Sequence, residues 1–337
     1  MALAAENPLP PSPSRVMKKL LRVALILVAC LLVAGAATFM WASASSAKVL
    51  ARTIETHTSD FPVPFPLAEG EVAELGLDDT GARRVALERA SERGRHLVSS
   101  RYACSECHGA DFSGGVMVDA PIMGRILGPN LTGGVGSRTT GYTAVDWDRI
   151  VRHGVLPDGR PAAMPSEEFQ LMSDQELSDI IAFLQAQPPV DNEVPPVQLG
   201  PLGRVLIATG RLPLSADRIA SHDGPHPSAP PAAEVSVEFG RHLAGVCTGC
   251  HGADMAGGPI PGGDPSWPPA RNLTPHTSGL AGWRYEEFVT AMRESRRPDG
   301  TALQPPMTAI APFARNMSDV EMEAVWLYLR SVAPVAR

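Results

Sequence analysis

Two short stretches hold the residues best able to do chemistry. Residues 104–109 read Cys104-Ser105-Glu106-Cys107-His108-Gly109, and residues 247–252 read Cys247-Thr248-Gly249-Cys250-His251-Gly252. Cysteines at i and i+3 face one side of a helical turn, and the adjacent histidine is directed at whatever lies over that side. This Cys-x-x-Cys-His spacing is the attachment signature of a c-type haem: the two sulfurs form thioethers with the vinyl groups, and the histidine is the proximal iron ligand. Zinc half-sites, a disulfide or a thioredoxin-like redox pair are the alternatives. Zinc would need a fourth ligand at each site. The motifs use four of the five cysteines, and the fifth, Cys30, lies in an apolar N-terminal run. Two covalently attached c-type haems are therefore expected, one at Cys104, Cys107 and His108, the other at Cys247, Cys250 and His251.

The motifs belong to an internal duplication. Superposing them gives an offset of 143 residues, which recurs almost unchanged along both halves. Asn130-Leu131-Thr132 matches Asn272-Leu273-Thr274, Pro157-Asp158-Gly159 matches Pro298-Asp299-Gly300, and Met172-Ser173-Asp174 matches Met317-Ser318-Asp319. Upstream, Gly94-Arg95-His96-Leu97 matches Gly240-Arg241-His242-Leu243.

The duplication also selects a second axial ligand. A soft methionine thioether opposite histidine favours ferrous iron and raises the potential. Met164 follows His108 by 56 residues, and Met307 follows His251 by 56. Each stands beside proline, which is expected to stiffen an extended loop. The metal ligands expected are therefore His108, Met164, His251 and Met307. Met172 and Met317 also align, but Ser173 and Ser318 read as helix N-caps, with Glu176 and Glu321 closing capping boxes. The two methionines then serve as hydrophobic staples onto Leu177 and Met322.

The elements that must position these residues are helical. A helix is expected from Asp79 to about Ser100, leading into the first motif. Asp111–Gly136 reads as a Gly-rich loop, followed by a short helix from about Thr143 to His153, with a counterpart over Arg284–Glu294. The last helix of each unit, Ser173–Gln185 and Ser318–Arg330, repeats apolar residues at the helical period. Gly94 and Gly240 are expected to let that last helix cross the first one closely. Asn130 and Asn272 read equally as propionate partners or turn caps, and Arg125 and Arg271 are candidates to neutralise propionates. His96 and His242 read as helix-surface residues.

Residues 23–41 run nineteen positions without a charge, roughly 28 Å of helix and close to the thickness of a bilayer core. Arg15, Lys18, Lys19 and Arg22 precede the run, placing the N-terminus in the cytoplasm. A cleaved signal peptide with Ala42-Ser43-Ala44 as its site is the rival. The length favours an uncleaved anchor, and both readings export the remainder. The expected organisation is a cytoplasmic N-terminus (1–22), a transmembrane anchor (23–41), a periplasmic tether (42–78), a first domain (79–190), a Pro-rich linker (191–233) and a second domain (234–337). Within the tether, Phe61-Pro62-Val63-Pro64-Phe65-Pro66 reads as a strap on the first domain. Residues 202–212 read as a short helix and 224–231 as an exposed loop. Aromatics make only 5% of the 337 residues, and the 31 glycines and 33 prolines suit loop-rich small domains around a buried haem. The net charge of −7 disfavours nucleic acid as a partner.

Taken together, these residues make the chain resemble membrane-anchored dihaem cytochromes c built from two class I-type domains. The haem hexapeptides, the run Asn272-Leu273-Thr274-Pro275, Gly282-Trp283, Arg297-Pro298-Asp299-Gly300 and Pro306-Met307, and the Met-Ser-Asp helix starts carry the likeness over about residues 85–335. The second half is similar to a domain of the cytochrome subunits that accompany periplasmic alcohol and gluconate dehydrogenases. Those subunits carry three haem motifs, and this chain has two. The resemblance implies an all-α fold, a tandem repeat of two class I cytochrome c-like domains after an N-terminal transmembrane helix. It also implies single-electron relay rather than catalysis, at the periplasmic side of a bacterial inner membrane. The partners implied are a redox donor and acceptor, with a dehydrogenase or oxidase as candidate. An enzyme of the dihaem peroxidase or thiosulfate dehydrogenase kind is the alternative. A peroxidase needs one haem able to open a coordination position, and the aligned methionines argue against that. A thiosulfate-oxidising site often involves an unusual cysteine ligand, and outside the two motifs the soluble part offers none.

Overall fold

The computed structural model describes residues 13–261, 263–264 and 266–337. The first twelve residues of the expected cytoplasmic segment lie outside the described residues. In chain order the helices are α1 (Pro13–Ala51), α2 (Glu69–Glu74), α3 (Asp79–Ser100) and α4 (Cys104–His108). After them come strands β1 (Gly115–Ala120) and β2 (Gly124–Gly128), then α5 (Ala144–His153) and α6 (Asp174–Gln185). The middle of the chain adds β3 (Gln198–Leu199), α7 (Pro201–Ala208) and α8 (Ser215–Arg218). The second half has α9 (Val237–Leu243), α10 (Thr248–His251), α11 (Tyr285–Glu294), α12 (Met307–Ala314) and α13 (Asp319–Ser331).

The repeat is visible in three dimensions. α3 packs on α6 in the first half, and α9 packs on α13 in the second. Gly94 and Gly240 make both crossings possible: a Cβ on Gly94 would collide with the Asp179 carbonyl, and one on Gly240 with the Ala324 carbonyl. Ser173 and Ser318 cap α6 and α13 with full capping boxes through Glu176 and Glu321, each cap stabilising its helix by about 1 kcal/mol. Met172 and Met322 are almost completely buried, the first in a core with Leu177, Ile181 and Trp147, the second with Phe288, Val325 and Leu329.

Two expectations change. Helices predominate, 48% against 6% strand, but the expected Gly-rich loop contains a hairpin. β1 pairs antiparallel with β2, and β2 with β3. Val116, Val118, Ile126 and Leu127 supply the β-branched and apolar residues that suit a half-buried ribbon. Second, α1 does not stop at Trp41 but continues ten residues to Ala51. Nothing between Ala42 and Ala51 breaks a helix, and Ala42 and Ser46 are buried where α7 packs on α1. The 224–231 segment is the exposed loop expected from the sequence, held at two points. The Asp174 amide donates to the Pro227 carbonyl (2.9 Å) and the Gln175 amide to the Ser228 carbonyl (3.0 Å), so the linker lies across the start of α6.

The strap is where the sequence places it. Phe61 is buried in the first core with Val63 and Phe65 against it, and Ser178 Oγ donates to the Pro62 carbonyl at 2.7 Å. α1 is the one helix among the described residues long and apolar enough to cross a membrane.

Candidate haem sites

Each Cys-x-x-Cys-His segment forms a short helical turn that ends at a glycine with positive φ, +81° at Gly109 and +76° at Gly252. The loop after each glycine is built the same way in both halves, bond for bond. The carbonyl of His108 accepts from the Gly114 amide and that of His251 from the Gly257 amide, both at 2.8 Å. Phe112 and Met255 take matching left-handed conformations, φ 60° and 57°. Both are buried, and their carbonyls accept from Leu131 and Leu273 at 2.8 Å.

The imidazoles are fixed the same way. His108 Nδ1 donates to the Pro129 carbonyl at 2.9 Å and His251 Nδ1 to the Arg271 carbonyl at 2.7 Å. A carbonyl can only accept, so the proton sits on Nδ1 and Nε2 presents a lone pair, the arrangement of a metal-bound histidine. Burial lowers both imidazole pKa values, which keeps the rings neutral. Burial also pushes the Cys104 and Cys247 thiols up to about 12, and raises Cys107 and Cys250. Such sites favour neutral sulfur over the thiolate of a zinc centre. The donor set therefore fits a covalently held haem.

The asparagines settle on the turn. Asn130 Oδ1 accepts from the Thr132 amide and Asn272 Oδ1 from the Thr274 amide, both at 2.9 Å. Their Nδ2 groups donate to the Val190 and Val335 carbonyls at 2.8 and 2.7 Å, tying the chain beyond each last helix back to the loop. Arg125 is exposed and pairs with Asp119 at 3.4 Å. Arg271 contributes its carbonyl, as the His251 anchor, while the residue itself is exposed.

Met164 and Met307 are both half-buried. Met164 lies in a loop against the first core, just before a 3-10 turn over Ser166–Phe169. Met307 instead begins α12. The expectation of a proline-stiffened extended loop thus holds for the first methionine and fails for the second, where Met307-Thr308-Ala309-Ile310-Ala311 is a run of helix-compatible residues.

Two histidines outside the motifs take on a structural role. His96 and His242 are not simple surface residues. His242 Nε2 hydrogen-bonds Glu176 Oε1 at 2.8 Å, and His96 Nε2 hydrogen-bonds Glu321 Oε1 at 2.9 Å. Each histidine on the first helix of one half meets the capping-box glutamate of the other half, so the halves face each other about a pseudo-two-fold axis. Arg101 joins the first pair only. It donates to Glu176 Oε1 at 2.7 Å and to the His242 carbonyl at 2.6 Å. The aligned position in the second half is Ala244. Desolvation alone would raise the Glu176 pKa, but His242 and Arg101 override it and hold the carboxyl at about 2. The reciprocal alignment of His96 with His242 and of Glu176 with Glu321 was the available signal.

Across the same interface, Glu168 of the 3-10 turn lies against Gly249 of the second motif, where an added Cβ would collide with its carboxylate. Burial and Glu167 push the Glu168 carboxyl up to about 7. The loop that follows Met164 therefore abuts the second Cys-x-x-Cys-His turn directly.

Comparison with known proteins agrees with this geometry. The family model for cytochrome c matches residues 237–333, and the model for cytochrome c oxidase, cbb3-type, subunit III matches residues 89–184. This chain carries two cytochrome c domains. Two c-type haems accompany them. The chain is similar to the cytochrome c subunit of the quinone alcohol dehydrogenase of Komagataeibacter europaeus, with 26% identity over 258 residues, 69% of this chain and 54% of that protein. It is also similar to the gluconate 2-dehydrogenase cytochrome c subunit of Pantoea cypripedii, with 28% identity over 280 residues, 72% of this chain and 59% of that protein. A diheme cytochrome c-type protein of Cereibacter sphaeroides is 24% identical over 258 residues, 69% of this chain and 82% of that protein. The chain thus spans little more than half the length of the dehydrogenase subunits it matches.

Proposed function

We propose that the chain is an electron carrier that passes single electrons between redox partners through two His/Met-ligated c-type haems. In this reading Cys104 and Cys107 hold the first haem by thioethers, with His108 and Met164 as axial ligands. Cys247, Cys250, His251 and Met307 serve the second. The domains extend over about 79–190 and 234–337. The observation that supports this most is the histidine frame, repeated bond for bond in both halves, with each Nδ1 anchored on a backbone carbonyl and each Nε2 free. A carrier needs two such permanent frames, whereas a peroxidase-like enzyme needs its halves to differ.

Haem bound in these frames supplies a reversible one-electron couple. The chain's own residues do the rest. The Pro129 and Arg271 carbonyls fix the imidazole orientation and increase its basicity. The methionine thioethers favour the reduced state. The clasps of His242 with Glu176 and of His96 with Glu321 hold the two frames at a constant spacing.

α1 is read as a span of the bacterial inner membrane, with Arg15, Lys18, Lys19 and Arg22 on the cytoplasmic side and both domains in the periplasm. The dehydrogenase cytochrome subunits among the relatives make a membrane or periplasmic dehydrogenase the expected donor.

Carbon monoxide added to the fully reduced protein tests the reading. No change in the absorption spectrum is expected. Rapid binding at either haem would replace the relay with an enzyme that has an open iron. Met164→Ala and Met307→Ala are each expected to lower the potential of one haem and open it to carbon monoxide. An unchanged spectrum and potential in either variant would remove that methionine from the ligand set.

A further inference from the structure

Three histidines used by neither frame gather behind α5. His153 ends α5, while His222 and His226 come from the linker. His153 Nε2 and His226 Nε2 face each other at 3.3 Å. Asp148 Oδ2 lies 3.8 Å from the first of these nitrogens and Asp148 Oδ1 lies 3.8 Å from the second. We propose that Asp148, His153 and His226 form a binding site for a divalent cation of the zinc class, which pins the linker to the first domain.

The spacing fits the ion. Tetrahedral ligands at about 2.0–2.1 Å from zinc lie about 3.3–3.4 Å apart. The two nitrogens already stand at that separation, and the three ligand atoms all lie within 4.8 Å of one another, so one Asp148 oxygen must close on both nitrogens by roughly 0.5–1.5 Å, within reach of a carboxylate rotation. Two imidazoles and one carboxylate leave a fourth position for water, a common zinc set.

The hydrogen-bond network sets the tautomer. His222 Nε2 lies 3.0 Å from the Ala216 carbonyl, which can only accept, so His222 carries its proton there. Its Nδ1 is then an acceptor for His153 Nδ1 at 3.1 Å. His153 Nε2 is left as a bare lone pair aimed at His226 and Asp148. A ligating histidine that donates through its other nitrogen to a fixed acceptor is the usual support of a metal site.

Charge points the same way. Asp148 and Arg152 are completely buried, and the Arg152 guanidinium pairs with both Asp148 (2.7 Å) and Asp174 (2.8 Å). Two carboxylates against one guanidinium leave a negative charge uncompensated while the imidazoles are neutral. A bound cation supplies the missing positive charge. The second half does not repeat these ligands: Val289 and Glu294 stand where Asp148 and His153 stand in the first.

The consequence is mechanical. His226 immediately precedes Pro227 and Ser228, whose carbonyls cap the first amides of α6. A metal at His226 therefore locks the linker where it turns toward the second domain.

The test uses the full-length protein with both haems. It is treated with chelator, incubated with zinc, desalted and analysed for metals by mass spectrometry. One zinc per two irons is expected, with a zinc-edge X-ray absorption shell holding two imidazole nitrogens at about 2.0 Å. His226→Asn, a linker substitution whose folding is checked by its iron content, is expected to lose zinc and the zinc-induced rise in melting temperature. His222→Asn is expected to weaken zinc affinity about 10–100-fold. Wild type that retains no zinc overturns the site and leaves an N–H···N bond between the two rings. Undiminished retention in the His226 variant also overturns it.

Discussion

The two halves share a plan but not a degree of burial, and the contrast is clearest in their charged residues. In the first half Arg152 is wholly enclosed, donating to the Met172 carbonyl at 3.1 Å and pairing with two aspartates. Its counterpart Arg293 donates to the Met317 carbonyl at 3.0 Å but has one partner, Asp319, whose side chain is 88% exposed. The clasps differ in the same direction. His242, Glu176 and Arg101 are buried together, while His96 is 42% exposed and meets Glu321 with no guanidinium. The strap region and the linker both lie on the first half, with the Ser59 amide on Asp148, Phe61 beside Arg152 and Pro227 and Ser228 on the start of α6, and they enclose ion pairs whose counterparts in the second half are solvated. The same hydrogen-bond scheme thus sits in two dielectric environments.

Glu176→Gln should produce the largest effect that separates the halves. It leaves the Arg101 guanidinium buried without its carboxylate, a change expected to cost about 3–5 kcal/mol. Glu321→Gln breaks the half-exposed clasp and should cost less than about 1 kcal/mol. Denaturant unfolding of both holoproteins measures the two, and equal losses would end the claim that the first clasp dominates.

Gly94→Ala and Gly240→Ala probe what the halves share. Each new methyl meets a helix carbonyl, so each is expected to cost about 1–3 kcal/mol through forced separation of its helix pair. Melting temperatures that fall in only one variant would show that the crossings are not equivalent.

The smallest effect is a pH dependence on the alkaline side, carried by the histidine of the second clasp. The hydrogen bond to Glu321 raises the His96 pKa. Its contribution is fully present below the ordinary histidine value and is lost as pH rises through the raised folded one. Glu176 is held down at about 2, so its contribution is present above the ordinary glutamate value and is lost as pH falls toward about 2. The protection factors of the α13 amides, which divide out the base catalysis of exchange itself, should fall between neutral and alkaline pH in wild type. His96→Gln should remove that step.

Much of this architecture was legible because it is written twice. The spacing of Cys104 and Cys107, the capping serines Ser173 and Ser318, and the crossing glycines Gly94 and Gly240 each act through local geometry, and the repeat marks each pair. The hairpin at 115–128 escaped notice because its glycines read as loop and its partner strand lies some seventy residues downstream at Gln198. The histidine clasps were missed for a different reason. A polar residue on an amphipathic helix reads as solvent-facing until another domain covers it. For Met307 the repeat marks a position beside proline, but whether a proline-flanked methionine sits in a loop or starts a helix depends on the residues after it. The histidine cluster at α5 joins residues about seventy positions apart, and Val289 and Glu294 replace its α5 members in the second half, so the repeat does not mark it.

The unbroken course of α1 past its apolar stretch has one more consequence. Ten residues of helix beyond Trp41 amount to a rise of about 15 Å. α7 lies along this extension, Arg52 pairs with Asp217, and the Ile54 amide donates to the Gly159 carbonyl at 2.9 Å. The first domain is thereby bolted to a short mast rather than hung on a leash. With α1 across a bilayer, a partner meets the haem domains at a set height and tilt. Its search becomes a two-dimensional one, in which turning the mast about its own axis decides which face is offered.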